Sequence, residues 1–185
     1  MKKIFVAFAL AVGLPIFVTM AAAQQKPSVS AGRGNATPAA KTPTKSAMSG
    51  EKGAVMAVIK EFESDFNNGN SNWVQLCADQ TSIIDEFPPY AWSGSGTCSQ
   101  WGKDYVADAK KNSVTDPSVW FGAAKHLDIS GDRAYVVLLS SYSYKQNGKP
   151  VKEAGATLTI SLQKSGNDWR ITAWTWSRGL VHQTA

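Results

Sequence analysis

The spacing of apolar residues changes character three times along this chain. Residues 4–20 form a nearly unbroken apolar run behind Met1-Lys2-Lys3, interrupted by Gly13 and Pro15 and followed by Ala21-Ala22-Ala23. A positive start, an apolar stretch and a small-residue site predict a secretory signal peptide, residues 1–23, cleaved near Ala23. Left uncleaved, the same run is long enough to anchor the chain in a membrane. No cysteine follows it, which argues against a lipid anchor. Residues 24–50 are dominated by Ala, Ser, Thr, Pro, Gly and Lys and contain no aromatic side chain. Such a stretch cannot bury enough apolar surface to offset its ordering entropy, so a flexible linker is predicted over 24–50.

From residue 51 the period becomes helical. Val55, Val58, Ile59, Phe62 and Phe66 recur on one face, and Asn67-Asn68-Gly69-Asn70 ends the run. Ser71 is placed to cap a short second helix carrying Trp73, Val74 and Leu76. A strand is predicted over 82–87, stopped by Pro88-Pro89. Thr97-Cys98-Ser99-Gln100 has capping-box spacing and opens a third helix through Trp101, Tyr105 and Ala109. After Asp116-Pro117 the period falls to two. Strands are predicted over 119–129, 134–144, 154–163 and 169–177, with turns at Ser130-Gly131-Asp132, Asn147-Gly148 and Ser165-Gly166-Asn167. Helices followed by consecutive antiparallel strands predict an α+β domain over 51–180: a curved antiparallel sheet with three N-terminal helices packed on its concave face. Residues 181–185 form a tail.

Charge and cysteine content narrow the partners. The net charge is +5, but residues 1–50 hold Lys2, Lys3, Lys26, Arg33, Lys41 and Lys45 and no acid, which leaves 51–185 at −1. A basic nucleic-acid groove on the domain is therefore excluded as the default. The linker's cations can at most touch an anionic envelope surface, or serve only to keep it solvated. The two cysteines, Cys77 and Cys98, fall at the expected end of helix two and start of helix three. Outside the cytoplasm such a pair reads as a disulfide rather than a metal site. No phosphate-binding glycine loop, zinc spacing or nucleophile elbow is present, so no cofactor or metal is expected.

The order helix, short helix, strand, helix and four long strands resembles the nuclear transport factor 2-like superfamily, in particular its SnoaL-like and ketosteroid-isomerase-like branches. The likeness is carried by 62–70 before Trp73, by Thr81-Ser82-Ile83-Ile84-Asp85-Glu86-Phe87, by Gly131-Asp132-Arg133-Ala134, and by the closing run 169–176. It covers about 51–180. It implies an α+β cone roll with a cavity between helices and sheet, and it places Asp85 where isomerase-like members carry a general base. It also implies that two oxyanion donors are missing: Phe62 stands where a tyrosine is expected, and Thr159 near where a protonated carboxyl is expected. Dimers are common in that superfamily, and an isologous contact between convex sheet faces is the simplest closed assembly.

Several residues are candidates for the cavity. Thr172, Trp174, Trp176 and Arg178 alternate onto one face of the last strand, where the tryptophans would stack on a planar ligand. Tyr142 and Tyr144 share a face with Val136 and Leu138, and Tyr90, Trp92, Gly94 and Gly96 make a loop suited to a lid. His126, in phase with Trp120, Gly122 and Ala124, would pair with Asp85 as a proton shuttle. Each also has a plain alternative, as a packed core or a solvated surface residue. Three functions follow: an exported domain binding a small apolar or aromatic ligand, a cofactor-independent lyase, cyclase or isomerase using Asp85, and a dimeric interaction module.

Overall fold

The computed structural model describes residues 45–183, so the signal peptide expected at 1–23 and the linker residues up to 44 lie outside the described residues. Helix α1 spans Lys45–Asn67. It takes in 45–50, which the composition had assigned to the linker; Pro43 is the last proline before it, and nothing in 45–50 blocks helical backbone. Val55, Ile59 and Phe62 are buried on one face, as the spacing predicts. Gly69, at φ 66°, turns the chain away.

The expected second helix is a single 3-10 turn, Asn72–Leu76, so the domain has two α-helices rather than three. Ser71 makes no side-chain cap bond; the Asn72 N–H donates to Asn70 Oδ1 at 3.0 Å instead. The turn still buries Trp73 and Leu76. Strand β1 is Cys77–Ile84, starting earlier than expected because its polar first half carries no alternation signal. Strand β2, Ala91–Ser95, pairs antiparallel with it. The segment expected as a loop is thus an edge strand, with Trp92 opposite Ile83. Helix α2, Thr97–Lys111, starts behind Gly96 at φ 70°. No capping box forms, since Thr97 Oγ1 donates to the Gly94 carbonyl at 2.9 Å.

The long strands are β3 (Val114–Ser130), β4 (Arg133–Gln146), β5 (Lys149–Ser165) and β6 (Asp168–Ser177). A short β7, Leu180–Gln183, occupies the expected tail and sets His182 opposite Lys152. The sheet runs β2-β1-β6-β5-β4-β3, with β7 beside β5. All pairings are antiparallel except β1 with β6, which corrects the expectation of a wholly antiparallel sheet. Asp116-Pro117 does not delay β3, because Asp116 at φ 51° and a register shift between Thr115 and Ser118 absorb the proline. Both α-helices pack on one face of the sheet, over a core that includes Val136, Leu138, Leu158, Ile160 and Ile171.

Helix α1 also covers a free edge. Strand β3 ends the sheet, and Asn67 closes a reciprocal pair with Val119: its Nδ2 donates to the Val119 carbonyl at 2.9 Å, and its Oδ1 accepts the Val119 N–H at 2.8 Å. Glu63 Oε1 accepts the Phe121 N–H at 2.7 Å, and Lys60 Nζ donates to the Phe121 carbonyl. At the other end, Glu51 accepts from Trp169 Nε1 at 2.9 Å and pairs with Lys164.

Candidate functional site

Between the helices and the sheet lies a cavity of about 290 Å³. Phe62 and Phe66 from α1, and Trp101 and Tyr105 from α2, form one wall; Leu158, Trp174 and Trp176 form the facing wall. The rings pack in mutual contact. Trp174 meets Phe62 at 5.4 Å and Trp101 at 5.2 Å, the latter pair perpendicular at 85°, and Trp101 stacks on Tyr105 at 5.4 Å and 15°. Offset and edge contacts of this kind suit the ring quadrupoles.

Polar groups converge on the cavity from the β1–β2 turn and the ends of β4 to β6. Asp85, one residue past β1, accepts Trp101 Nε1 through Oδ2 at 3.0 Å and the Glu86 N–H through Oδ1 at 2.7 Å. Burial raises its pKa to about 6 against the two hydrogen bonds that hold it down, and the charge of Glu153 adds to the rise. Glu86 is likewise held above the usual carboxylate range, first by burial and then by Glu153, with Arg178 opposing. Glu153, fully buried on β5, accepts Trp176 Nε1 at 3.2 Å and the Gly179 N–H at 2.7 Å through Oε1. Tyr105 and Tyr142 share a hydroxyl hydrogen bond at 2.9 Å, and burial raises both phenols. Tyr144 stacks on Tyr142 at 4.8 Å.

These shifts have a sign for stability. Asp85 and Glu86 hold protons in the folded chain at pH values where the unfolded chain has lost them. Their contribution is present below about pH 4 and is lost as pH rises through 6 and beyond. Urea titrations are therefore expected to show the domain less stable near pH 8 than near pH 5, by about 2 kcal/mol once solvent screening is allowed for. The Asp85→Asn, Glu86→Gln double variant should remove most of that difference.

Other candidates fall elsewhere. His126 is exposed on the outer face, 5.7 Å from the Tyr135 ring, and does not meet Asp85. It keeps the phase of Trp120, itself 53% exposed, because the register shifts between Phe121 and Ala124 and between Ala124 and His126 cancel; the expectation took the wrong face of the strand as the inner one. Thr172 lies at a bulge, where it bonds Ser161, so Trp174 and Trp176 face inward without it. Leu158, not Thr159, pairs with Trp176, which puts Thr159 on the opposite face from the cavity. Trp92 is buried but outside the cavity: it packs on Phe87 at 5.0 Å, and its Nε1 donates to Asp104 at 2.8 Å. That bond is the first cause holding the Asp104 carboxyl below its usual range. Tyr90 is 57% exposed. Cys77 and Cys98 form a disulfide that ties the start of β1 to the first turn of α2. Trp101, Tyr105 and Glu153 were not expected in the site. The first two showed only as a helical face, and Glu153 precedes the residue where β5 was expected to start.

Among the described residues no group of three His, Cys, Asp or Glu is arranged to hold a metal ion, and no helix is long and apolar enough to cross a membrane.

Two helices on one face of a sheet with a single parallel pairing thus border an aromatic hollow. No family model matches the chain, and no curated protein matches it in sequence. Solved structures do match. A nuclear transport factor 2-like superfamily protein from Salmonella enterica superposes with a TM-score of 0.61 at 16% identity, over 72% of this chain and 94% of that one. A hexachlorocyclohexane dehydrochlorinase from Novosphingobium barchaimii gives 0.61 at 10% identity, over 75% and 92%. A protein described as having a cystatin-like fold, from Novosphingobium aromaticivorans, gives 0.57 at 10%, over 71% and 83%. At these identities the likeness establishes the fold and nothing finer.

Proposed function

We propose that this chain is an exported domain that binds a small apolar or aromatic molecule in the cavity. The observation that carries the reading is the hollow itself, about 290 Å³ and walled by tryptophan, tyrosine and phenylalanine, with a few polar groups at one end. The disulfide is compatible with an extracellular location. Thermal-shift measurements against indole, naphthalene and steroid-like compounds test the proposal. A ligand at about a hundred times its dissociation constant adds about 2.7 kcal/mol, enough to raise the melting temperature by several degrees. A flat response across the panel refutes it.

Asp85 supports a second reading, a cofactor-independent enzyme that abstracts a proton from carbon. Its carboxyl lies at the cavity, its pKa is raised to about 6, and the Tyr105–Tyr142 hydroxyl pair offers a donor where Phe62 has none and Thr159 faces away. In the same screen Asp85→Asn should keep binding under both readings, and should abolish turnover only under the second.

A further inference from the structure

The polar end of the cavity is unevenly charged. Asp85 and Glu86 lie there, and Arg178 is the one cationic side chain among the described residues lining the cavity. Glu153 lies directly behind, with no exposed surface of its own. Two acceptors there are left over: Glu86 Oε2 and Glu153 Oε2 are both buried without a hydrogen-bond partner. Arg178 Nε stands 3.3 Å from the first and 3.8 Å from the second, near enough for charge but not donating to either. Its side chain is 57% exposed, so the guanidinium is loosely held at the rim. A buried acceptor without a donor typically costs 1–3 kcal/mol, more when charged. Something that brings both donors and positive charge to this end would relieve that cost.

We infer that the cavity selects an organic cation, a primary ammonium or amidinium head on a flat aromatic body. The head takes the place of Arg178 beside Glu86 Oε2 and Glu153 Oε2, with the Asp85 carboxyl one residue from Glu86. The body lies among Trp101, Trp174 and Trp176, whose ring faces also attract cationic charge. An anion of the same shape would meet the carboxyls of Asp85 and Glu86 against one arginine, and a neutral head could donate a hydrogen bond but bring no positive charge. The inference rests on the binding reading given above and names its ligand class.

Every titratable group that faces the head is known. Asp85 and Glu86 come from the β1–β2 turn, Glu153 from β5, Arg178 from the segment after β6, Tyr142 and Tyr144 from β4, and Tyr105 and Asp108 from α2. The tyrosines stay protonated at neutral pH because burial raises them. Asp85 and Glu86, both held above the usual carboxylate range, therefore set the pH dependence: a cation binds more tightly as they ionise, and its binding releases protons.

Calorimetric titration of the purified protein with three indoles of matched size, tryptamine, tryptophol and indole-3-acetate, tests the assignment, with the corresponding naphthalene series as a second body. At about pH 8 the amine is expected to bind about tenfold more tightly than the alcohol, and the acid more weakly than either. The amine's advantage should shrink several-fold near pH 5 and in Glu86→Gln. Arg178→Gln should tighten the amine several-fold and leave the alcohol unchanged, which a merely structural role for Arg178 does not produce. Equal affinity for amine and alcohol at both pH values, as when Glu86 and Glu153 share a proton and present a neutral surface, overturns the cation assignment while leaving the binding reading intact. Tighter binding of the acid does the same. Failure of all three compounds in both series overturns both readings.

Discussion

Truncation of Trp174 to alanine is expected to lower the unfolding free energy by about 3–5 kcal/mol, the largest single-residue effect foreseen for this domain. Trp174 is 3% exposed, pairs with Ile83 of β1 and Ile160 of β5, and touches Phe62 and Trp101 from the two helices. It therefore contacts both helices and the central sheet at once. Its loss leaves a void adjoining an existing hollow, which the surrounding rings cannot close without leaving their edge and stacked contacts. Urea denaturation of Trp174→Ala measures the cost. Indole at millimolar concentration should restore part of it, since an apolar void takes up a matching apolar guest. Trp120→Ala is the control. Trp120 is 53% exposed on the outer face, and its removal should cost less than about 1 kcal/mol. A similar loss in both variants would show that Trp174 contributes only bulk hydrophobic area and that its position between helices and sheet adds nothing.

Removing the Cys77–Cys98 bridge is the second large effect. The cysteines are 21 positions apart, and closing a loop of that length stabilises by about 3 kcal/mol on the chain-entropy account. The Cys77→Ala, Cys98→Ala double variant should therefore melt about 10 °C lower, and the unaltered protein in strong reductant should fall by a similar amount. The bridge joins the 3-10 turn and β1 to α2, and α2 supplies Trp101 to Asp85. Loss of the bridge should accordingly weaken ligand binding as well as stability. A melting temperature indifferent to reductant would mean that the α2 contacts hold this corner unaided.

Element type was legible wherever the apolar period was unbroken. The α1 face of Val55, Ile59 and Phe62 and the β4 alternation of Val136, Leu138 and Tyr142 were read from spacing alone, because each residue on those elements has one neighbour layer to satisfy. Where a strand takes in an extra residue, the spacing misleads. Thr172 was assigned to the inner face by counting in twos, and the bulge that displaces it carries no glycine or proline of its own; His126 keeps phase with the exposed Trp120, so there the count was right and the choice of face was not. Thr159 missed by a single position, which in a sheet is the whole difference between inside and out. The polar β1, the edge strand β2 and the short β7 lacked any alternation to read. Asp85, Tyr142, Trp174 and Trp176 were found among the cavity residues, while Glu153 was not, because a fully buried carboxylate is explained only by partners distant in sequence such as Trp176 and Gly179.

The lone parallel pairing has a temporal consequence. Strand β1 precedes every long strand in the chain, yet its partner β6 is the last of them, and Thr81 meets Ile171 across a separation of 90 residues. No shorter nascent segment can complete the sheet, because the first-made strand waits beside an unfilled position until the final one emerges. Such distant pairing slows folding. A polypeptide built this way leaves the inner edge of β1 open until β6 is available to close it.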